Sequence, residues 1–534
     1  NANNGVEVNA KSTAGSSTSA TASVKGGDKA KDDGSAPAPG GGSGSGETVD
    51  DKVAGQQNKA TAAGKTTAAK APATTPAAGS SAGDKLDTNK QTPPKGESSE
   101  GGVSVAAAVG VNVGVATTTA RVGKGKRITS SAGALKVTST NQTDSSAKAD
   151  GSQVDSSKNT DVGVGAAVAL NVGVATTTAI VADEADVSTH GLTISATGVT
   201  GEKSDSAAEA KSGAGAGNVG VAGSLAINSA TNTTVALLEG NTDGDAAVAQ
   251  VDANGGAVLI EAQNATTSTA KVSADVKGTG GTAKVGVGAS IGVNVGVNTT
   301  IAEVADQTRL TDAGSVDLNA TAEHAMTTEA TGGAAGAKVS VTPVVAATIA
   351  VNTTVARLGN GATALDVGGA YSSKAGQTSV ITTKATGQAQ GDVAVGASLG
   401  ATIAVDNVSA TVERNLDAGN GIELGAKSDT SLTTEVKAGA KGSKAAKKDA
   451  AGNETPEAGT TVDEQKKNQL DFAKGRNSKA AAVSTDTPEA KTPDTSDQTP
   501  GTGQPANPPA KNQQGKKVSV AAAIGATVAY NQAK

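Results

Sequence analysis

The chain has 534 residues, including 70 Gly, two Tyr and one Phe, and it contains neither Trp nor Cys. A core must be built from Val, Ile, Leu and Ala, and the lack of aromatic anchors argues against a conventional enzyme or an aromatic-lined pocket. The net charge of −6 comes from 45 basic and 51 acidic residues mixed along the chain, so nucleic acid is not an expected partner. The start "NANNGVEV" has no initiator Met, and we interpret the chain as part of a longer polypeptide.

A segment that we call word A recurs along the chain. It starts at Val103, Val162, Val219, Val285, Val339, Val393 and Val518, and reads "VGVGAAVALNVGVATTTAIV" from Val162. Branched and small residues alternate with period two, which predicts a β-strand. Gly, Asn and Thr replace the Leu-rich run of a membrane helix, and both faces lack the polarity of a barrel lumen, so we do not expect this segment to span a membrane.

The two faces of word A differ in side-chain size. One face carries branched aliphatics, the other only Gly, Ala, Ser, Thr or Asn, and neither carries Lys, Arg or Glu before the Thr pair. Strands without charge on either face are normally covered on both faces. The small-residue face implies close approach by another layer. Either the rest of the repeat supplies that layer, which we favour, or a second rod does.

A second segment, word B, is a turn Gly followed by an apolar, any, apolar triplet. Its glycines are Gly5, Gly133, Gly191, Gly256, Gly314, Gly376 and Gly421. The chain therefore reads as B, then six A–B units, then a final A. The charged continuation of word B predicts a half-exposed strand followed by a solvated one.

Composition divides the chain into five parts. Residues 1–26 end a repeat unit, 102–438 form the repeat array, and 517–534 start the next unit. Residues 27–101 and 439–516 are tracts of Ala, Lys, Thr, Pro and Gly, which cannot bury enough apolar area to offset the entropy of ordering. We predict two disordered insertions, both in the loop that joins word B to the next word A.

Residues with catalytic or metal-binding chemistry are scattered. "AAGKTT" lacks the first Gly of a phosphate loop, and "GAGNVG" precedes a strand instead of the helix that a dinucleotide site needs. Asp243, Asp245 and Asp252 lack the spacing of a calcium loop. His190 and His324 have no Cys or neighbouring His for zinc. We predict no catalytic residue, cofactor or metal.

Two positions of word A keep the same residue type from copy to copy. The predicted ladder residues are Asn232, Asn298, Asn352 and Asp406, 13 residues after the first Val, and Ala120, Ala179, Ala236, Ala302, Ala356 and Ala410, 17 residues after it. Each of the three Asn also begins an Asn-Thr-Thr glycosylation sequon. Stacked Asn side chains that hydrogen-bond between rungs explain the constant position better than glycans.

These repeats predict an all-β rod with parallel, β-solenoid-like stacking of about six A–B units, A on A and B on B, at about 4.8 Å per rung. The alternative is a string of antiparallel β-sandwiches, one for each unit. A sandwich needs its own core, and the chain offers few large side chains for each unit.

The pairing of "VGVGAAVALNV…TTTA" with "G-LTISA" resembles the repetitive region of giant bacterial surface proteins, the leukotoxin-like and filamentous-haemagglutinin-like adhesins. The resemblance implies a β-solenoid outside the bacterial cell, at its surface, and carries no catalytic residues. We expect a non-enzymatic structural stalk that serves attachment or matrix formation. The receptor is not identified, and self-association along or beside the rod stays open.

Two alternatives to this function are a polysaccharide-acting β-helix enzyme and an ice-binding solenoid. The enzyme needs clustered Asp with Arg or Lys on one rung and aromatic residues for sugar stacking, and the sequence shows neither arrangement. Ice binding needs Thr-x-Thr on one face, whereas the paired Thr, such as Thr117 and Thr118, are adjacent and point to opposite faces.

Overall fold

A computed structural model describes residues 2–23, 95–96, 103–153, 161–216, 218–241, 248–278, 284–336, 338–442, 447–448, 454–455 and 518–534. All the regular secondary structure in these ranges is β-strand, which confirms the all-β prediction. The described residues belong to one compact unit, Asn1–Asp28 with Pro93–Lys534, whereas the second unit, Lys29–Thr92, lies outside them.

In chain order the strands of the described residues are β1 (Val6–Ala22), β2 (Lys95–Gly96), β3 (Val103–Val122), β4 (Arg127–Thr129), β5 (Leu135–Ser152), β6 (Val162–Val181), β7 (Asp186–Ser188), β8 (Leu192–Gly198), β9 (Ser204–Ala216), β10 (Val219–Leu238), β11 (Gln250–Asp252), β12 (Ala257–Gly278), β13 (Val285–Val304), β14 (Arg309–Thr311), β15 (Ser315–Ala335), β16 (Val339–Leu358), β17 (Leu365–Val367), β18 (Tyr371–Gly391), β19 (Val393–Val412), β20 (Leu416–Ala418), β21 (Ile422–Gly442), β22 (Lys447–Lys448), β23 (Glu454–Thr455) and β24 (Val518–Ala533).

The seven copies of word A form one parallel sheet, the A sheet. Its order is β24-β19-β16-β13-β10-β6-β3. The first Val of each copy pairs with the first Val of its neighbours, and the register holds to the end of each strand. Word A therefore stacks on word A, and the separate antiparallel sandwiches are excluded.

The B words form a second parallel sheet, the B sheet, in the order β2-β1-β5-β8-β12-β15-β18-β21, where β9 continues the rung of β8. In most rungs word B and its continuation are one long strand, so the prediction of two strands is wrong there; only β8 and β9 are separated. Gly5, Gly191 and Gly421 have positive φ at the turn, as a turn Gly requires.

The position predicted for word B in this rung, at Gly376, is also wrong. Gly376 lies within β18 and pairs with Thr321 and Lys427, whereas the B strand of this rung begins at Tyr371. The residues after Gly376 match the pattern of word B although they lie inside a strand, because any stretch of a half-buried strand contains alternating apolar residues.

Each coil has a third, short side that the sequence analysis missed. Three-residue strands lie between word A and word B and stack in parallel as β4-β7-β11-β14 and as β17-β20. At this three-sided end of the coil, the end of word A, the short strand and the start of word B surround the main hydrophobic core, which includes Val181, Val187, Leu192 and Ile194. Three residues are too few for periodicity to reveal a strand.

Away from this core, the A and B sheets pack directly on each other, with the small-residue face of word A inside. Gly163 and Gly165 of β6 are buried, whereas Val162 and Val164 are partly exposed. A Cβ on Gly165 would lie 2.3 Å from the carbonyl oxygen of Gly213. The cover that we expected from within the chain is therefore the B sheet, at backbone contact distance.

The expectation that both faces of word A are covered is wrong for the described residues. The branched aliphatics point away from the B sheet, and Val109, for example, is 63% exposed. Strand alternation allows only one of the two faces inside, and the closeness of the B backbone admits only the small one.

The predicted insertions largely lie outside the described residues. Within 27–101 the structure describes only β2, which pairs with the end of β1. Strand β21 continues to Gly442, four residues past the predicted end of the array at 438. Within 439–516, the structure otherwise describes only β22 and β23, an antiparallel pair.

Candidate functional site

The predicted Asn positions lie side by side between the two sheets. Asn232 donates from Nδ2 to Oδ1 of Asn298 at 2.9 Å, and Asn298 donates to Asn352 at 2.8 Å. Asn352 then donates to Oδ1 of Asp406 at 2.7 Å. Asn298 and Asn352 are buried, so neither offers an accessible amide for a glycan in the folded coil. We call this row the Asn232 ladder.

Asp406 ends the run of side-chain donors. Its carboxylate is 1% exposed and also accepts from Thr430 at 2.6 Å and from Ser379 at 3.4 Å. Unlike Asn, the Asp side chain has no amide N–H to donate to the next rung. Accordingly Asn531, which pairs with Asp406 in register, donates to Thr430 Oγ1 at 3.2 Å instead.

Sequence analysis missed a second ladder, nine residues after the first Val of word A. Asn112 donates to Asn171 at 2.8 Å, Asn171 to Asn228 at 2.8 Å, and Asn228 to Asn294 at 3.2 Å. We call this row the Asn112 ladder. Its signal was visible as the Asn of "VNV", "LNV" and "INS" in one register. The sequence pattern does not show the hydrogen-bond partners of these Asn side chains, because the partners are serines of the B sheet.

Those serines complete the hydrogen bonding of the Asn112 ladder. Asn171 Nδ2 also lies 3.0 Å from Ser145 Oγ and 2.9 Å from Ser206 Oγ, and Asn228 Nδ2 donates to Ser268 Oγ at 2.8 Å. Buried amides are costly unless they are paired, and these have partners on both neighbouring rungs and on the facing sheet. Sliding either strand by one residue would separate these partners and turn aliphatics inward.

The two ladders overlap in the middle of the stack, and each continues toward a different end of it. Strands β10 and β13 contribute to both ladders. In β16 and β19 the register of the Asn112 ladder is continued by Thr348 and Thr402, which share Thr383 at 2.6 Å and 2.8 Å. A polar row therefore runs through the interior along the stacked A strands from β3 to β19.

The six predicted alanines are also neighbours in register. Ala120, Ala179, Ala236, Ala302 and Ala356 pair in succession and are at most 2% exposed, and Ala410 packs partly buried beside them. They lie where the A sheet meets the main hydrophobic core, so their methyl groups touch the Leu and Val side chains of the three-sided end.

The two histidines have unrelated surroundings. His190 is exposed at a turn, and its Nδ1 is 2.8 Å from the carbonyl oxygen of Asn254. His324 is buried in β15, with Nδ1 2.9 Å from Thr266 Oγ1 and no partner at Nε2. Burial, aided by the charge of Lys203, lowers the pKa of His324 to about 3.

The described residues hold no group of three or more His, Cys, Asp or Glu that could bind a metal ion. Asp252 belongs to β11, and its Oδ1 accepts from the amide of Asn254 at 3.1 Å, which is the role of a turn residue. Asp243 and Asp245 lie outside the described residues.

One cluster of opposite charges spans three rungs at the end of word A. Arg357 binds Glu303 and Asp306 at 2.5 Å each and Glu413 at 2.7 Å. The hydrogen bond to Glu413, followed by those to Glu303 and Asp306, raises the pKa of Arg357 above its ordinary value. The arrangement joins acidic groups of the two rungs on either side of Arg357 through one guanidinium.

Arg414 supports the adjacent turns from inside. Its guanidinium donates to the backbone carbonyl oxygens of Gly359 at 2.6 Å, Thr308 at 2.9 Å and Ala305 at 3.2 Å. Burial lowers the pKa of Arg414 below its ordinary value. Sequence reasoning did not find this residue, because its acceptors are backbone groups of earlier coils.

Comparisons of this chain with protein-family models, with curated proteins and with solved structures find no match. The part of the chain that the structure describes contains no helix with the length and hydropathy of a membrane span.

Proposed function

We propose that this chain is a non-enzymatic structural segment of an extracellular bacterial adhesin or surface filament, where it acts as a stiff stalk in attachment or matrix formation. The observation that carries the proposal is the unbroken stacking of seven A strands in one register. In such a stack each coil contacts its neighbours only, so added coils extend the molecule at about 4.8 Å per rung without altering its surface.

Stiffness is supported by the interior. Backbone ladders tie each coil to the next along both sheets, and the Asn112 and Asn232 ladders add buried side-chain hydrogen bonds in the same direction. Bending the stack would stretch backbone and side-chain bonds together. A stalk that holds a binding surface away from a cell needs this resistance to bending.

The alternative of a polysaccharide-acting enzyme has one observation in its favour, the acidic cluster around Arg357. Its three carboxylates come from the two rungs on either side of Arg357, and all contact the same guanidinium. A hydrolase needs one carboxyl group that can donate a proton and a second that can act as base or nucleophile. Carboxylates held by Arg357 serve instead to join neighbouring rungs.

The test immobilises the full chain on beads and measures retention of bacterial and host cells under flow, with release of reducing ends from polysaccharides assayed in parallel. We expect the folded chain to retain cells and to release no reducing ends. Beads carrying Gly165→Lys, which should not fold, are the control for nonspecific adhesion.

Two outcomes would contradict the stalk function. One is equal retention by the folded chain and the Gly165→Lys control. The other is polysaccharide cleavage that disappears in Glu413→Gln and persists in Glu423→Gln, a matched change in an exposed ion pair of the B sheet. That second result would assign the enzyme function to the Arg357 cluster.

A further inference from the structure

The aliphatic surface of the A sheet has no cover among the described residues. We define the outer A face as the outward side chains at the first thirteen positions of each A strand. In β6 these are Val162, Val164, Ala166, Val168, Leu170, Val172 and Val174. None of the seven strands places a charged residue on this face. Side chains remain accessible even in the middle of the sheet, where Ile291 of β13 is 44% and Ile349 of β16 is 36% exposed.

The size of the outer A face exceeds what a soluble monomer normally exposes. Seven strands spaced by ~4.8 Å, with thirteen residues at ~3.3 Å each, cover about 1,400 Å². The largest apolar patch of a typical monomer is about 300–600 Å². A stable complex of standard size buries about 800 Å² on each partner. The outer A face is therefore large enough for a stable interface.

The ridges and grooves of the outer A face are complementary to those of an identical face. The third outward position forms a row of small residues across the seven strands, namely Ala107, Ala166, Gly223, Ala289, Pro343, Ala397 and Ala522. A row of Val lies on one side of it, and a row of Val, Leu and Ile lies on the other. Along the strand these rows are ~7 Å apart, so a ridge of one sheet can enter the groove of an identical sheet turned to face it.

The other candidates for covering this face fit less well. The insertion at 27–101 has only Val49, Val53 and Leu86 as large apolar residues, and that at 439–516 only Val462, Leu470, Phe472 and Val483. Proteins that bind a lipid surface normally carry Trp, Tyr and basic residues around an apolar face. This face carries a single Tyr, Tyr530, and the chain has more acidic than basic residues.

We propose that a second copy of this chain covers the outer A face, so that two A sheets pack face to face. Because the same surface is used by both copies, the association closes at a dimer. The polar outer surface of each B sheet remains in solvent. The inference does not depend on the proposed function, since the apolar face requires cover in a stalk and in an enzyme alike.

The test measures mass by sedimentation velocity across protein concentrations. The full chain has a mass of 50.9 kDa, and we expect it to sediment at twice that mass at micromolar concentration. Val168→Lys with Ile291→Lys, on β6 and β13, should sediment as a monomer with an unchanged far-UV circular dichroism spectrum. Thr269→Lys with Thr382→Lys, outward on β12 and β18, is the matched control and should remain a dimer.

A second pair guards against misfolding. Val168→Thr with Val345→Thr preserves side-chain shape and strand preference, and should raise the dissociation constant of the dimer at least tenfold. A wild-type chain that stays monomeric at all concentrations would overturn the proposal, as would Lys or Thr variants of the outer A face that associate like wild type. Flotation of the wild type with phosphatidylcholine vesicles, lost in the Val168→Lys, Ile291→Lys variant, would assign the face to lipid instead.

Discussion

The outer surfaces of the two sheets differ although the sheets are built in the same way. Both are parallel, both keep one register from rung to rung, and their inner faces pack on each other. The outer A face is aliphatic, whereas the outer surface of the B sheet carries Thr, Ser and charged residues, with ion pairs between neighbouring strands such as Lys148 with Glu209 at 3.4 Å and Lys374 with Glu423 at 2.8 Å.

This comparison shows that stacking does not require an aliphatic outer surface. The B sheet stacks as regularly with polar side chains in solvent. The stability of the coil lies in the backbone ladders, in the hydrophobic three-sided end and in the polar ladders between the sheets. The aliphatic residues of the outer A face therefore serve a purpose beyond the folding of one chain.

The largest effect is expected where the two sheets touch. Gly165→Lys places a Cβ 2.3 Å from the carbonyl oxygen of Gly213 and a charge between the sheets, so we expect a loss of at least about 4 kcal/mol in the free energy of unfolding. The adjacent Ala166→Lys points outward and should retain the strand-rich circular dichroism spectrum. Equal unfolding of both variants would show that the two faces of word A are equally buried.

A smaller loss is expected within the Asn232 ladder. Asn298→Ala leaves Asn232 without its acceptor and Asn352 without its donor, and should lower the free energy of unfolding by about 3 kcal/mol. Asn319→Ala, on the outer surface of the B sheet, is the control and should change it by less than about 0.5 kcal/mol. Urea unfolding measures both. Similar losses in the two variants would mean that the buried ladder adds no stability.

The buried His324 predicts a dependence on pH. Its pKa is lowered from 6.5 to about 3 in the fold, so the unfolded chain alone gains this proton as the pH falls below 6.5. The stabilising contribution is complete above pH 6.5 and decreases by about 1.4 kcal/mol per pH unit until the pH nears 3. Between pH 7.5 and 4.5, wild type should lose about 2–3 kcal/mol more than His324→Gln.

The matched control for His324 is His190→Gln, at an exposed turn, which should follow wild type at both pH values. Urea unfolding at pH 7.5 and 4.5 for the three proteins measures the difference. If His324→Gln and wild type lost equal stability between these pH values, His324 would have to be reached by water in the folded chain.

The smallest effect is expected at the charged outer surface of the B sheet. Lys148 and Glu209 are both more than half exposed, so Lys148→Ala should change the free energy of unfolding by less than about 0.5 kcal/mol. The change should shrink further in 1 M salt, because screening weakens exposed ion pairs. A loss above about 1 kcal/mol would indicate that surface charges contribute to stacking in a way that the comparison of the two sheets does not explain.

The sequence alone determined the strand class, the positions of the A strands and their parallel stacking. Period two along word A and its return without insertions are local properties that need no knowledge of neighbours. The same regularity placed Asn232, Asn298, Asn352 and Asp406 at one position of the coil. The Asn of the Asn112 ladder hold one position of word A in the same way, but our sequence analysis missed them, and their serine partners depend on how the B sheet lies opposite.

Only the tertiary structure decided which face of word A is inside. Hydrophobicity favours burying the branched face, but the carbonyl oxygens of the B sheet lie too close to word A for any side chain larger than a few atoms. The short strands and the contacts of Arg414 were equally beyond the sequence, because they depend on the path of the turns from coil to coil. Periodicity determines that two faces exist, and the distance between layers determines which of them meets solvent.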